Sequence, residues 1–230
     1  MPEDPGMMIL QFLCLLFSLS AHEAAHAAMA DRCGDPSARL LGRMTLNPIK
    51  HIDPLGTVVL PLFAMFSNFY MFGWAKPVPY NPRNLRNLRR DSVLIGLAGP
   101  AANLALVLAT IVLLRGVAMA AGFSDNSMTL ALILRTLIFL TFINLLLMLF
   151  NLIPLPPLDG HHLVEALLPP KTAEQFEKLG PFSLIILFVL VFRFNILDTP
   201  MRLLSKGVFT LAFYGTPLQG TPLYTTLTGG

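Results

Sequence analysis

Apolar residues along this chain are gathered into long blocks instead of alternating with polar ones. The blocks run from Met7 to Ala30, Gly56 to Trp74, Ser92 to Gly122, Met128 to Pro154 and Pro181 to about Leu197, with a shorter patch from Val208 to Tyr214. A helix needs roughly 20 such residues to cross a hydrocarbon layer of about 30 Å. The pattern therefore predicts four or five membrane-buried segments, the last of them short, in an all-α polytopic bundle. The patch at 208–214 suits an interfacial position. The head, MPEDPG, lacks the basic start and cleavage site of a signal peptide, so the first block is expected to be retained. The tail, GTPLQGTPLYTTLTGG, reads as a loose polar end. Neither an internal repeat nor an appended soluble domain is visible. Residues 1–230 read as one membrane domain, with a core over about 7–165 and a C-terminal span and tail over 181–230.

The polar stretches between blocks set the orientation. Arg32, Arg39, Arg43 and Lys50 lie in loop 31–55, and Lys76, Arg83, Arg86, Arg89 and Arg90 in loop 75–91. Basic loops stay on the cytoplasmic side. A crossing by Gly56 to Trp74 would put these two loops on opposite faces; a re-entrant segment keeps both inside. The block follows DPLG and carries or borders Pro54, Pro61, Pro77 and Pro79, which favours re-entry over a regular span.

Composition strengthens the membrane assignment. Hydrophobic residues make up 54% and charged ones 13%, where soluble domains carry about 25% charge, and the mean hydropathy is +0.65. That excludes a disordered tail and a free cytosolic enzyme. Cys14 and Cys33 are the only cysteines, which excludes a disulfide-stapled secreted domain. The net charge of +3 raises nucleic acid as a partner. No nucleic-acid motif accompanies it, and the basic residues flank apolar blocks. The partner they point to is the lipid bilayer.

The first block contains His22-Glu23-Ala24-Ala25-His26. Ionisable groups inside a span are costly, roughly 2.5 to 3.5 kcal/mol for a charge at the centre, so three polar groups in five residues demand a compensating partner. Helix positions i and i+4 share a face. Two imidazoles so placed match two ligands of zinc, with the intervening Glu23 near the metal's water as general base. Catalytic zinc takes a third protein ligand and keeps its fourth position open. Asp159 is the favoured candidate, in NLIPLPPLDG, where prolines break the fourth block and turn a carboxylate inward. His51, His161, His162 and Glu165 are rivals; His51 lies in a polar loop and is expected to be solvated. Asn151, just before the break, suits either freed backbone groups or a bound peptide.

HEAAH in an apolar helix, paired with NLIPLPPLDG downstream, resembles the site-2 protease family of intramembrane zinc metalloproteases. The similarity covers about residues 7–165 and includes GRMTLNPIKHIDPLG, FGWAKPVPYNPRN and GLAGPAAN. It implies one zinc held by His22, His26 and Asp159, Glu23 as catalytic base, Asn151 near the substrate, and a three-helix core with a strand or loop region between its first two helices. A PDZ-like insertion and a nucleotide-sensing domain, found elsewhere in the family, are not seen here.

The metal also tests the topology. HEAAH lies about 6 Å of helix rise from the end of its block, and Asp159 closes the fourth. Crossing by every block would leave these ligands at opposite faces, beyond the reach of bonds about 2 Å long; re-entry of 56–74 brings both to the cytoplasmic face. The expected protein is a multi-pass zinc endopeptidase of a bacterial inner membrane, acting on membrane-spanning proteins. A zinc or proton transporter and a non-catalytic, zinc-clasped scaffold are the competing classes. Gly96, Gly99 and Pro100 read as helix-packing positions, Asn103 as a bond across the bundle or toward the site, and Arg115, Arg135 and Arg193 as snorkelling cations.

Overall fold

The computed structural model describes residues 5–67, 73–121 and 128–229. Among these the chain forms α1 (Pro5–Cys33), α2 (Ser37–Leu40), α3 (Leu60–Ser67), α4 (Leu88–Ala121), α5 (Met128–Asn151), α6 (His161–Leu167), α7 (Pro170–Glu177), α8 (Gly180–Phe188), α9 (Asp198–Phe213) and α10 (Pro222–Thr228), and no strand. The expected all-α polytopic bundle is what the chain builds. Three helices, α1, α4 and α5, are long and apolar enough to cross a membrane, and each packs on the other two. They stay apolar on the outside as well: Ile9, Leu13, Leu108, Val112 and Leu132 are exposed, as lipid-facing positions are.

The C-terminal region departs from expectation. Phe209 and Phe213 of α9 are buried against Val107, Ile111 and Leu114 of α4 and Leu145 of α5, so one face of the 208–214 patch joins the core while Leu211 and Tyr214 stay exposed. Arg115, expected to snorkel, donates to the carbonyl of Tyr214 at 2.7 Å, just past the end of α9. The tail is ordered as α10, packed on α9 with Thr228 buried. Its ends were readable: Thr221 caps the first turn, Pro222 begins it and Gly229 closes it in the left-handed region at φ 67°. The fifth apolar block forms α8 and a wide turn, Val189–Arg193, fourteen residues in all. That is about 21 Å of rise, too short to cross unless α7, bent 50° from it, completes the span.

Gly56 to Trp74 enters and returns at one place. The Trp74 N–H donates to the carbonyl of Gly56 at 3.1 Å, and the Thr57 hydroxyl donates to the carbonyl of Trp74 at 2.7 Å. Ends that touch cannot lie on opposite sides of a bilayer, so this block is not a crossing; its residues 68–72 lie outside the described ones. A Cβ at Gly56 would overlap the Trp74 indole, so glycine is what lets the ends close.

The two basic loops are likewise bonded to each other. Arg43 donates to the carbonyls of Lys76 and Pro77 at 2.9 and 3.0 Å. Fully buried Asp35 accepts from the Ser37 hydroxyl at 2.6 Å and from the Asn84 amide and Asn81 N–H at 2.7 Å each. Burial pushes the Asp35 carboxyl upward, but these donors outweigh it and hold it below the usual carboxylate range. A depressed carboxyl contributes stability that is complete above its unfolded value near 4 and is lost as pH falls through the lower folded value. Asp35→Ala is expected to destabilise the protein by about 2–3 kcal/mol at pH 7, with a smaller penalty below pH 4, as read by denaturant unfolding in detergent at several pH values.

Candidate metal centre

The i, i+4 spacing on α1 places His22 and His26 one turn apart on the face turned toward α4. That face meets α4 at Gly99, while Gly96, one turn earlier on α4, faces His162 and the Asp159 carbonyl. A Cβ at Gly99 would fall on the Nε2 atoms of both histidines, so this glycine opens the space in front of the imidazoles. Asp159 arrives from the loop after α5, its carbonyl beside Gly96 of α4. Beyond α5, the Gly160 N–H donates to the carbonyl of Asn151 at 2.6 Å and closes the proline-rich loop back on the helix end. A Cβ at Gly160 would come within 2.5 and 2.6 Å of the carbonyl oxygens of Leu152 and Ile153. The Asp-Gly pair is thus a tight turn that aims the carboxylate inward.

The three groups meet at one point. His22 Nε2 lies 3.0 Å from His26 Nε2, and Asp159 Oδ2 lies 3.1 Å from the first and 3.3 Å from the second. Ligands on tetrahedral bonds of about 2.0–2.1 Å stand about 3.3 Å apart.

The protons on these rings are dictated from behind. The Asn144 amide donates to the carbonyl of Leu140 at 2.8 Å, an atom that can only accept, and to Ser18 Oγ at 2.9 Å. Asn144 Oδ1 therefore faces the Asn103 amide and accepts from it at 2.8 Å. Asn103 Oδ1 in turn accepts from His22 Nδ1–H at 2.7 Å. His26 Nδ1–H donates to the carbonyl of Ile95 at 2.7 Å. In the neutral rings both Nε2 atoms then carry lone pairs. Asp159 Oδ2 is buried with no hydrogen-bond donor. Three electron-rich atoms packed without a proton among them call for a cation, and the imidazole–carboxylate set fits zinc.

Ser18, Asn103 and Asn144 are all buried, at 0% exposure. Partners that lock a ligand's tautomer govern metal affinity by about 10–100-fold. Asn103→Leu is expected to weaken zinc binding by that factor while far-ultraviolet dichroism stays unchanged, measured by competition with a chromogenic chelator. Neither Asn144 nor Ser18 stands out in a reading of motifs. Their signal is a polar side chain inside an apolar span.

The Glu23 Oε2 accepts the Val78 N–H at 2.9 Å. Val78 lies in the extended stretch that follows Trp74, so the returning limb of the 56–74 excursion lies over the acid. Of the rivals, His51 is buried, not solvated, with Nε2–H donating to the carbonyl of Thr45 at 2.8 Å. His161, His162 and Glu165 gather beside the triad as a separate group. Asn151 Nδ2 donates to the carbonyl of Leu147, one turn back on α5, at 3.0 Å.

An HExxH helix and a distant carboxylate, closed on one point inside a bundle of membrane-length helices, define the class: a metallopeptidase in a polytopic membrane protein. The chain belongs to peptidase family M50, the site-2 protease family, whose profile matches residues 10–192. It is 39% identical over 183 residues to "Putative zinc metalloprotease YwhC" of Bacillus subtilis, covering 77% of this chain and 78% of that one. "Putative zinc metalloprotease Rip2" of Mycolicibacterium smegmatis is 32% identical over 225 residues, 98% of this chain and 80% of its own. Rip2 of Mycobacterium tuberculosis is 31% identical over 186 residues, covering 80% and 67%. No solved structure matches the chain.

Proposed function

We propose that this zinc metalloprotease is an intramembrane endopeptidase in which His22, His26 and Asp159 hold one Zn2+ and Glu23 is the general base. The observation that carries this reading is the triangle of proton-free ligand atoms, 3.0 to 3.3 Å on a side, with a carboxylate one residue along the same helix. Bound zinc supplies Lewis-acid polarisation of a peptide carbonyl and makes water acidic near pH 7. Glu23 takes the proton of the attacking water and returns it to the leaving nitrogen. The Val78 N–H fixes the orientation of the Glu23 carboxylate during both transfers. The Asn103–Asn144 pair keeps His22 in its metal-ready tautomer.

The substrate is a membrane-spanning protein. A helix offers no free backbone, so the substrate unwinds before it is cut, and the extended stretch at 73–80 beside Glu23 is the surface against which it lies. The enzyme is a multi-pass protein of a bacterial inner membrane, with the centre toward the cytoplasm. Two observations support that placement: loops 31–55 and 75–91 are bonded together on one side, and the relatives above are bacterial.

Removing the metal tests the reading. In proteoliposomes carrying a model transmembrane peptide, exhaustive chelation is expected to abolish cleavage, and one equivalent of Zn2+ to restore it where Mg2+ does not. Full cleavage by metal-free protein would refute the reading.

A further inference from the structure

A second cluster of metal-ligating groups lies just beyond Asp159, at the start of α6. His161, His162 and Glu165 each offer a ligand atom, and the three atoms lie within 4.8 Å of one another. Consecutive residues on a helix point about 100° apart, yet the two imidazoles are tilted together with centroids 3.9 Å apart. His161 Nδ1–H donates to the carbonyl of Leu158 at 2.6 Å, leaving Nε2 with a lone pair, as at His22 and His26. Glu165 Oε2 stands 3.4 Å from His162 Nδ1 and 3.9 Å from His161 Nε2. Charge-assisted hydrogen bonds close to about 2.7–2.9 Å. The 3.4 Å contact is a long hydrogen bond that matches the roughly 3.3 Å spacing of two ligands on one tetrahedral ion, and the 3.9 Å one lies beyond hydrogen-bond reach.

The cluster has a way in. His162 and Glu165 form one wall of a cavity of about 280 Å³ between the start of α4 and helices α6 and α7, which Glu174, Glu177 and one cation, Arg89, also line. The acids draw cations toward the imidazoles. Glu165 is 30% exposed and each imidazole about half that, so rotating the glutamate closes the longer distance without disturbing the core.

We propose that His161, His162 and Glu165 form a second site for a borderline-soft divalent ion, Zn2+ or a close analogue, separate from the His22–His26–Asp159 triad and filled through the acidic cavity.

The test uses the full chain in detergent, equilibrated against buffered Zn2+ and assayed for bound metal by mass spectrometry. The wild type is expected to reach two equivalents. Glu165→Gln and the pair His161→Ala/Glu165→Gln are expected to stop at one, and Asp159→Asn to lose the other while keeping the second. Co2+ provides an independent readout: its visible ligand-field band is expected to saturate at two equivalents in the wild type and at one in Glu165→Gln. Saturation of the wild type at one equivalent, with both Glu165 variants unchanged, overturns the second site and leaves the catalytic reading untouched. Loss of both equivalents in Glu165→Gln also overturns it, since the two sites would then be one. Glu165→Gln is isosteric and partly exposed, so folding is preserved in at least one arm.

Discussion

Glu23→Gln is expected to lower cleavage of a model transmembrane peptide by at least 10²-fold, in the range general-base removal produces, while zinc content stays at the wild-type level. The substitution is chosen to separate proton transfer from everything else. A glutamine oxygen still accepts the Val78 N–H now held at 2.9 Å, so the extended stretch stays docked. The three atoms proposed to hold the metal are untouched. Only the capacity to take a proton disappears. Metal analysis beside the rate measurement decides the case: activity and zinc lost together would make Glu23 part of the binding site, and activity retained would remove it from the chemistry.

Gly99→Ala is expected to cost the metal itself. The added methyl would sit on the Nε2 atoms of His22 and His26, in the space between them and α4, and neither ring can retreat. His22 is tied to Asn103 at 2.7 Å and His26 to the Ile95 carbonyl at 2.7 Å. Zinc content is expected to fall below about one tenth of the wild type, with cleavage falling in parallel. Gly116→Ala supplies the control in the same helix. Nothing lies within 4 Å of a Cβ there, so that variant gains helix propensity of about 1 kcal/mol and keeps its metal. Equal zinc retention by both variants would show that the space before the imidazoles is not where the ion sits.

Much of this arrangement was legible before any coordinates. HEAAH declares itself because i, i+4 spacing and a polar intrusion into an apolar helix are both local properties. Asp159 was reachable because Pro154, Pro156 and Pro157, just ahead of the carboxylate, force a break. The topology followed from two constraints, charge placement and metal reach, and the contact between Gly56 and Trp74 agrees with it. What escaped depends on packing between distant segments. Asn144 looks like any polar residue near the end of a span until α1 and α4 are set beside it. Gly96 and Gly99 read as packing glycines, since sequence does not say that His162 and the Asp159 carbonyl pack on the first and two imidazoles on the second. Phe209 and Phe213 read as an interfacial patch because seven apolar residues are too few to cross, and burial against α4 and α5 is a tertiary fact. The tail was misread despite good local signals: its Thr-Pro start and glycine stop were outweighed by polar composition.

In the link between Glu23 and Val78, residue 78 contributes only its main-chain N–H. Residue 78 can therefore change side chain without altering the contact. Its neighbours, Pro77 and Pro79, have imide nitrogens and no hydrogen to give. A slide of the limb by one residue in either direction would present the acid with nothing to accept. The limb fits its place like a key with a single tooth, and its register against Glu23 is fixed by where the prolines stand, not by what lies between them.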